Sequence, residues 1–457
     1  MDSTVLSTSL PAIAADLGSD PIALKLALTA YLLSMAVFIP VSGWVADRFG
    51  ARPTFTTAIG VFLLGSIACA LSGSLETMVA SRFLQGMGGA MMVPVGRLVL
   101  LRTVPKNELV QALSWLTIPA LVGPVVGPPL GGFITTYLHW RWIFLINIPI
   151  GLLGIALAQR FIPDIRENTP PLDWLGFLLA GLGLALAMFG FSTLGRQLVP
   201  VEVAVVTLVL GFAGLAGYVA HARRHPNPLL DLKLFHLPTY RAGIAGGSLF
   251  RIGIGASPFL LPLMLQVGFG LSPVQSGLLT FTSALGAIFM KTLAARVLKR
   301  FGFRRVLVVN AIVASAMLCG FGLFRPDTPH AVILVVLLVS GFFRSLQFTS
   351  LNAISYAEVD SPRMAQASSM AGMVQQLSLS LGVAIGGYFL EIAGVANGRP
   401  ATDVHNFYLA FLGVGLISAS SVWMMWRLPR NAGAEMSGRA RPGKEVGEPK
   451  PAQLPAT

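Results

Sequence analysis

The chain has 457 residues, of which 54% are hydrophobic and 11% charged, and its mean hydropathy is +0.74. A soluble domain carries about a quarter of its residues as charges, so this composition excludes a water-soluble globular protein. The formal charge of +13 would suit an anionic partner such as nucleic acid only if topology did not already account for the basic residues.

Residues 1–17, MDSTVLSTSLPAIAADL, read as the second half of a membrane span whose first half is missing. Apolar runs follow at 22–42, 54–73, 77–101, 109–136, 143–162, 172–194, 200–220, 241–266, 275–296, 305–324, 330–355, 366–390 and 405–426, bounded by charges or by Pro and Gly clusters. Each is near the roughly 20 residues that cross a hydrocarbon core about 30 Å thick. The expected class is an all-α integral membrane protein with 14 spans, the first truncated. No basic segment ahead of an apolar region marks a secretion signal. The loop 221–240 reads as an ordered linker on the membrane surface, and the Pro-, Gly- and charge-rich tail from Leu428 as disordered. Cys69 and Cys319 lie in separate apolar runs, which supports neither a disulfide framework nor a metal site.

Orientation follows from lysine and arginine. With the loop after 22–42 taken as cytoplasmic, 22 of the 32 basic residues fall on cytoplasmic loops and the tail. The other side holds five: Lys25, Arg141, Arg196, Arg325 and Arg399. Basic residues of short loops stay inside, so most of the positive charge is topological and no nucleic-acid partner is expected.

GWVADRFGAR (43–52) interrupts this pattern and comes close to recurring as ARVLKRFGFR (295–304). The alignment pairs Arg48 with Arg300, Gly50 with Gly302 and Arg52 with Arg304. A repeat in equivalent loops predicts two homologous bundles, with a substrate site between them. Asp47 sits at the C-terminal end of its span, where the helix dipole disfavours an acid. It makes sense there if it reaches a positive partner, such as Arg48, Arg52 or the N-terminus of another span. Such a pair would be a breakable latch; the second copy has Lys299 at that place.

GWVADRFGAR resembles the signature loop of the major facilitator superfamily, G-x-x-x-D-R-x-G-R-R, with Ala51 in place of a basic residue. The resemblance implies two pseudo-symmetric six-helix bundles and makes Gly43, Asp47, Arg48, Gly50 and Arg52 a cytoplasmic gate motif. RFLQGMGGAMMVPVGR (82–97) places Arg82 inside a span, with Gln85 one turn on. An arginine at mid-membrane costs about 3 kcal/mol on insertion scales, so Arg82 faces a cavity or partner, or else snorkels near the far interface, being only a few residues into its span. The stretch is similar to the family's fourth-span motif, whose arginine is associated with proton coupling.

GPVVGPPLGG (123–132) sets Gly123, Gly127 and Gly131 at i, i+4 and i+8, beside Gly132 and Pro128. That spacing strips one helix face for close approach, and the prolines permit a bend; generic tight packing would explain it too. The pattern resembles the fifth-span motif that separates antiporters of the family from symporters, although Ser114 stands near the place of an earlier glycine. Trp140 and Trp142 in WRWIFLINIPIG suit an interface anchor. The same stretch resembles fourteen-span drug:proton antiporters of the QacA/EmrB type, and GWVADRFGAR, AMMVPVGR and IFLINIPIG together resemble most of all the MdtD-type branch. Asp2, Ser3, Thr4 and SLP at 9–11 resemble that group's first-span motif, D-x-T-x-x-x-x-A-L-P. Asp2 is then the leading proton carrier, unless it belongs to an ordinary N-terminus in water. Arg251 and Arg344, with Lys291, place positive charge inside the second half. They favour a substrate bearing negative or polar groups, or they pair with backbone carbonyls or Asp2.

No metal-ligand cluster, nucleophile elbow or phosphate loop stands out, so no enzyme, cofactor or metal is expected. The expected domains are a six-span bundle at 1–162, two additional spans and a linker at 163–240, a second bundle at 241–427 and a tail at 428–457. The expected function is proton-coupled antiport, exporting drugs or other small molecules by alternating access. Export of an anionic metabolite or metal chelate, or a non-transporting role on the same fold, are the alternatives. Its partners would be substrate, protons and lipid, and the protein a monomer in a bacterial-type cytoplasmic membrane with its C-terminus inside.

Overall fold

A computed structural model describes residues 2–103, 123, 126–166, 171–193, 200–359 and 363–434. Among these residues the regular structure is entirely helical. The first half comprises α1 (Asp2–Ser7), α2 (Leu10–Asp16), α3 (Lys25–Phe49), α4 (Ala51–Ala70), α5 (Leu75–Thr103), α6 (126–137), α7 (Trp142–Leu145) and α8 (Asn147–Phe161). An additional pair, α9 (Trp174–Thr193) and α10 (Val201–Ala222), follows. The second half holds α11 (Pro238–Arg241), α12 (Gly247–Leu263), α13 (Pro273–Phe301), α14 (Phe303–Phe321), α15 (His330–Ser355), α16 (Met364–Asn397) and α17 (Val404–Trp426). Among the described residues, twelve helical segments are long and apolar enough to cross a membrane. The run expected at 109–136 lies mostly outside the described residues, and α6 is its described end.

Local sequence explains the interruptions. Pro11 has no N–H to give the Ser7 carbonyl, and the chain breaks between α1 and α2, where the Ser9 N–H turns to the Leu6 carbonyl at 2.9 Å. Pro258 and Pro262 lie in α12, which is flanked by π-helical turns at Ala242–Gly246 and Met264–Gly268. The charged knot is the last turns of a helix rather than a loop: α3 runs through Asp47 and stops only at Gly50.

The helix packing repeats. In the first half α3 lies on α5 and α4 on α8; in the second, α13 lies on α15 and α14 on α17. At the end away from Gly50 and Gly302, one apolar core unites both halves, with Leu6, Leu10 and Ile13 in the same cluster as Phe259, Leu263 and Phe411. At the Gly50 end, Ala46, Ala51, Val95 and Val99 form one cluster, while Phe250, Leu298 and Phe303 belong to another. The halves are therefore closed together at one end and joined at the other along the α3–α16 side.

That side carries the additional pair. α9 lies astride the α3–α16 seam: Phe177 meets Phe38 with ring centres 5.9 Å apart, and Phe191 meets Tyr388 at 6.3 Å. α10 packs on α9 and exposes Val205, Val209 and Phe212, as a lipid-facing helix does. The linker after α10 is pinned down. Tyr218 Oη accepts from the Leu230 N–H at 2.8 Å and donates to the Leu230 carbonyl at 3.1 Å. Asp173 accepts from the N–H groups of Gly176 and Leu229 and pairs with His221 Nε2 at 2.8 Å. Burial works against its charge, yet those three partners outweigh it and hold the carboxyl below its ordinary value.

Candidate functional site

Glycines let α5 wedge between α3 and α4. A Cβ on Gly86 would lie 2.5 Å from the Tyr31 carbonyl of α3, and one on Gly88 2.5 Å from the Phe62 nitrogen of α4. Gly65 of α4 in turn meets the backbone of Gln85. This approach buries Arg82 and Gln85 completely. The Arg82 guanidinium lies over the Tyr31 ring, 4.2 Å from its centre, and 5.9 Å from that of Phe144. Arg82 Nη1 donates to Gln85 Oε1, Gln85 Nε2 donates to Ser66 Oγ at 2.9 Å, and Asn147 Nδ2 reaches the same hydroxyl at 3.3 Å. The charge thus sits inside the bundle, on a polar chain linking α5, α4 and α8. In this low-dielectric setting an arginine can hold and orient a mobile charge, and its head is shielded by protein on every side.

The knot lies at the opposite end from the shared core. Arg52 Nε donates to the Ile162 carbonyl at 2.5 Å, and the Ala51 N–H to the Ile165 carbonyl at 3.0 Å, so the strand of chain leaving α8 docks on the Gly50 turn. Arg48 is exposed, Asp47 and Gly43 half-buried.

The glycine face of α6 is a seam between the halves. A Cβ on Gly132 would stand 2.5 Å from the Pro273 carbonyl of α13, and one on Gly277 of α13 would stand 2.4 Å from the Pro128 carbonyl. Gly131 faces the other way, onto the Val5 carbonyl and Thr8. Gly123 and Gly127 are buried.

Arg251 is buried between α12 and α15. It donates to the Gly243 carbonyl at 3.4 Å and to Asn352 Oδ1 at 3.0 Å, and lies 5.4 Å from the centre of the Phe348 ring. Arg344, half-buried, is one turn before Phe348 on the same stripe of α15. Arg251 and Arg344 therefore belong to one region of the second half, whereas Arg82 and Gln85 belong to the first. Asp2 starts α1, but its side chain lies outside the described residues.

Two groups escaped the sequence reading. Lys25 Nζ of α3 and Glu391 Oε1 of α16 form an ion pair of 2.9 Å between the halves, at the closed end. Each residue looked like an ordinary charge at the edge of a span, and nothing in the sequence links positions 366 residues apart. Asp173, His221 and His225 bring ligand-type atoms within 4.8 Å of one another. A spacing of four between the histidines was the available signal, but Asp173 arrives from the residue preceding α9 and is already engaged by Gly176, Leu229 and His221.

Comparison with known proteins follows the same division of the chain. A profile of the Major Facilitator Superfamily matches residues 1–173 and 243–453, and the gap is α9, α10 and the linker. A Serratia proteamaculans (strain 568) protein named "Putative multidrug resistance protein MdtD" is 37% identical over 450 residues, 97% of this chain and 93% of its own. Its namesake from Escherichia coli (strain K12) is 38% identical over 437 residues, 94% of this chain and 92% of its own. Among solved structures, a D-xylose-proton symporter aligns with a TM-score of 0.66 at 15% identity, covering 94% of this chain and 95% of its own. An auto-inhibited POT family peptide transporter aligns at 0.65 and 16% identity, covering 94% and 95%. At such identities the likeness is one of fold.

Proposed function

Since the chain belongs to the major facilitator superfamily and is a transporter rather than an enzyme, we propose that it is a proton-coupled antiporter exporting drugs or other small molecules. The observation that carries the reading is the reciprocal seam of Gly132 on Pro273 and Gly277 on Pro128. Backbones in such contact can separate and reclose as rigid bodies without repacking side chains, which rocking of two bundles about a central site requires. The relatives named for multidrug resistance support drugs as the cargo class.

In this reading the units are the bundles 1–162 and 241–427, with 163–240 as the inserted pair and linker and 428–457 as a tail. The basic Gly50 and Gly302 turns face the cytoplasm, as the distribution of lysine and arginine favours, in a bacterial inner membrane. The C-terminus is cytoplasmic and the protein acts as a monomer. The structure is then closed outward, and substrate enters from the cytoplasmic side between the halves. Arg82, positioned by Gln85 and Tyr31, holds a fixed positive charge beside the path, and Asp2 carries the proton. The turn of Gly43, Asp47, Arg48, Gly50 and Arg52 forms the cytoplasmic gate.

Purified protein in liposomes with an imposed pH gradient tests this. Gradient-driven movement of cationic dyes, lost in Arg82→Ala, is the expected result; equal rates with and without the gradient would contradict coupling. A second reading, export of an anionic metabolite or metal chelate, is favoured by Arg251 and Arg344 on one stripe, since intramembrane arginines mark substrate paths by default. Polycarboxylates that outcompete the dyes would select it.

A further inference from the structure

Lys25 and Glu391 make an unusual pair. Lys25 is 1% exposed and Glu391 17%, although both belong to the ends of spans where water would be close. Glu391 lies six residues before the end of α16, about 9 Å along the axis. Desolvating two charges offsets most of the gain from pairing them, so a buried pair is weak evidence for stability and is best attested as a device that selects one arrangement. The arrangement selected here is the apposition of the two halves, because the pair joins α3 to α16, whereas Asp16–Arg141 and Arg399–Asp403 each stay within one half.

The surroundings fit a pair that forms and breaks. The lysine stem runs across Gly387, where a Cβ would lie 2.5 Å from Lys25 Cδ and 3.0 Å from Nζ, so a larger residue there would make the lysine chain shift off its path to the carboxylate. Directly outside lies a vestibule of about 700 Å³ lined by Asp20, Glu76, Glu391 and Arg399. If the halves part, the vestibule offers Lys25 two other carboxylates and Glu391 a guanidinium, together with water. Neither charge would be stranded, so separation is not prohibitive. Nearby, Gln266 Nε2 donates to the Thr8 carbonyl at 2.8 Å and Ser380 Oγ to the Thr29 carbonyl at 3.2 Å. These uncharged bonds cross the same interface and can be exchanged for water.

We propose that the Lys25–Glu391 pair is the electrostatic lock of the outer gate, formed when the transporter is closed outward and broken when it releases substrate. The proposal rests on the alternating-access reading but not on the cargo or on proton coupling. Lys25 and Glu391 are positioning residues: they set which face is open and do not touch the substrate.

The test is a distance measurement across the vestibule by double electron–electron resonance on the full chain. Labels are placed at Ser74→Cys and Val395→Cys in a background carrying Cys69→Ala and Cys319→Ala. Glu391→Gln and Lys25→Met should raise the population of the longer, open distance at least about tenfold. The exchange Lys25→Glu with Glu391→Lys should return it toward the parent. Gly387→Ala, which keeps both charges and displaces only the flexible lysine chain, should shift it in the open direction. Unchanged distances in folded, monodisperse Glu391→Gln and Lys25→Met would overturn the lock, as would a charge exchange no more closed than the single variants. No substrate is needed, so failed transport with an intact distance response would count against the exporter reading and leave the lock standing.

Discussion

Gly50 and Gly302 occupy the same place in two copies of one turn. Their φ values are 103° and 79° with ψ at 143° and 158°, and each gives its N–H to the carbonyl four residues back at 2.9 Å while opening the next helix. That combination is essentially restricted to glycine and costs other residues about 1–3 kcal/mol. A Cβ on Gly50 would also run into the Asp164 carboxylate. Gly50→Ala and Gly302→Ala should therefore both lower the thermal midpoint in detergent. Equal midpoints in parent and variants would remove the strained turn as the basis of the repeat.

The Arg82 network makes a charge-conserving substitution informative. Arg82→Lys keeps the charge but loses the planar group over Tyr31 and the fixed geometry toward Gln85, and lysine does not replace arginine at stacked sites. Gradient-driven transport should fall at least about tenfold at equal folded protein. Gln85→Leu leaves buried partners unsatisfied, costing about 1–3 kcal/mol, and should lower both transport and the thermal midpoint. Retained transport in Arg82→Lys would reduce Arg82 to a simple positive charge.

The parts of this architecture that were legible in the sequence are those written locally. Span lengths, the paired GWVADRFGAR and ARVLKRFGFR stretches, and the small-residue face at 123–132 each depend on neighbours in the chain. What was hidden depends on distant ones. Ser66 and Asn147 carry no signal of their own in the sequence, and only the packing of α4 and α8 brings Ser66 to Gln85 and Asn147 to Ser66. Lys25 and Glu391 each fit an interface charge, and only the apposition of α3 and α16 makes them a buried pair. The apolar run at 22–42 stops short of the helix end at Phe49, because hydropathy falls at the charged residues, whereas a helix end tolerates them until Gly50 reverses φ.

The seam between α6 and α13 gives a directional prediction. In Gly132→Ala the new methyl meets backbone at Pro273 and Val274, and in Gly277→Ala it meets backbone at Pro128; backbone cannot rotate away. Each substitution should hold the halves apart at the closed end, seen as increased labelling of Ser74→Cys by a membrane-impermeant thiol reagent, and reduce gradient-driven transport. Labelling that matches the parent would mean the seam does not control closure.

Asp173, which precedes the first residue of the α9 span, carries a pH dependence. Burial raises its pKa, but the Gly176 and Leu229 N–H groups and His221 lower it further, leaving the folded value below the ordinary 3.8. A depressed carboxyl stabilises the fold above its unfolded value and loses that contribution as pH falls through the folded one. The difference in thermal midpoint between parent and Asp173→Asn should thus stay constant from neutral pH down to about 4 and shrink below it. A difference that disappears between pH 7 and 5 would contradict this assignment.

The most direct test of proton-coupled export is collapse of a pre-formed pH gradient in everted membrane vesicles on adding substrate, first cationic dyes and then polycarboxylates. Antiport predicts proton release from the acidic lumen in the parent, absent in Arg82→Ala and Asp2→Asn at equal folded protein. Substrate accumulation with no proton movement, or proton release of equal size in the Asp2→Asn and Arg82→Ala variants, would contradict it.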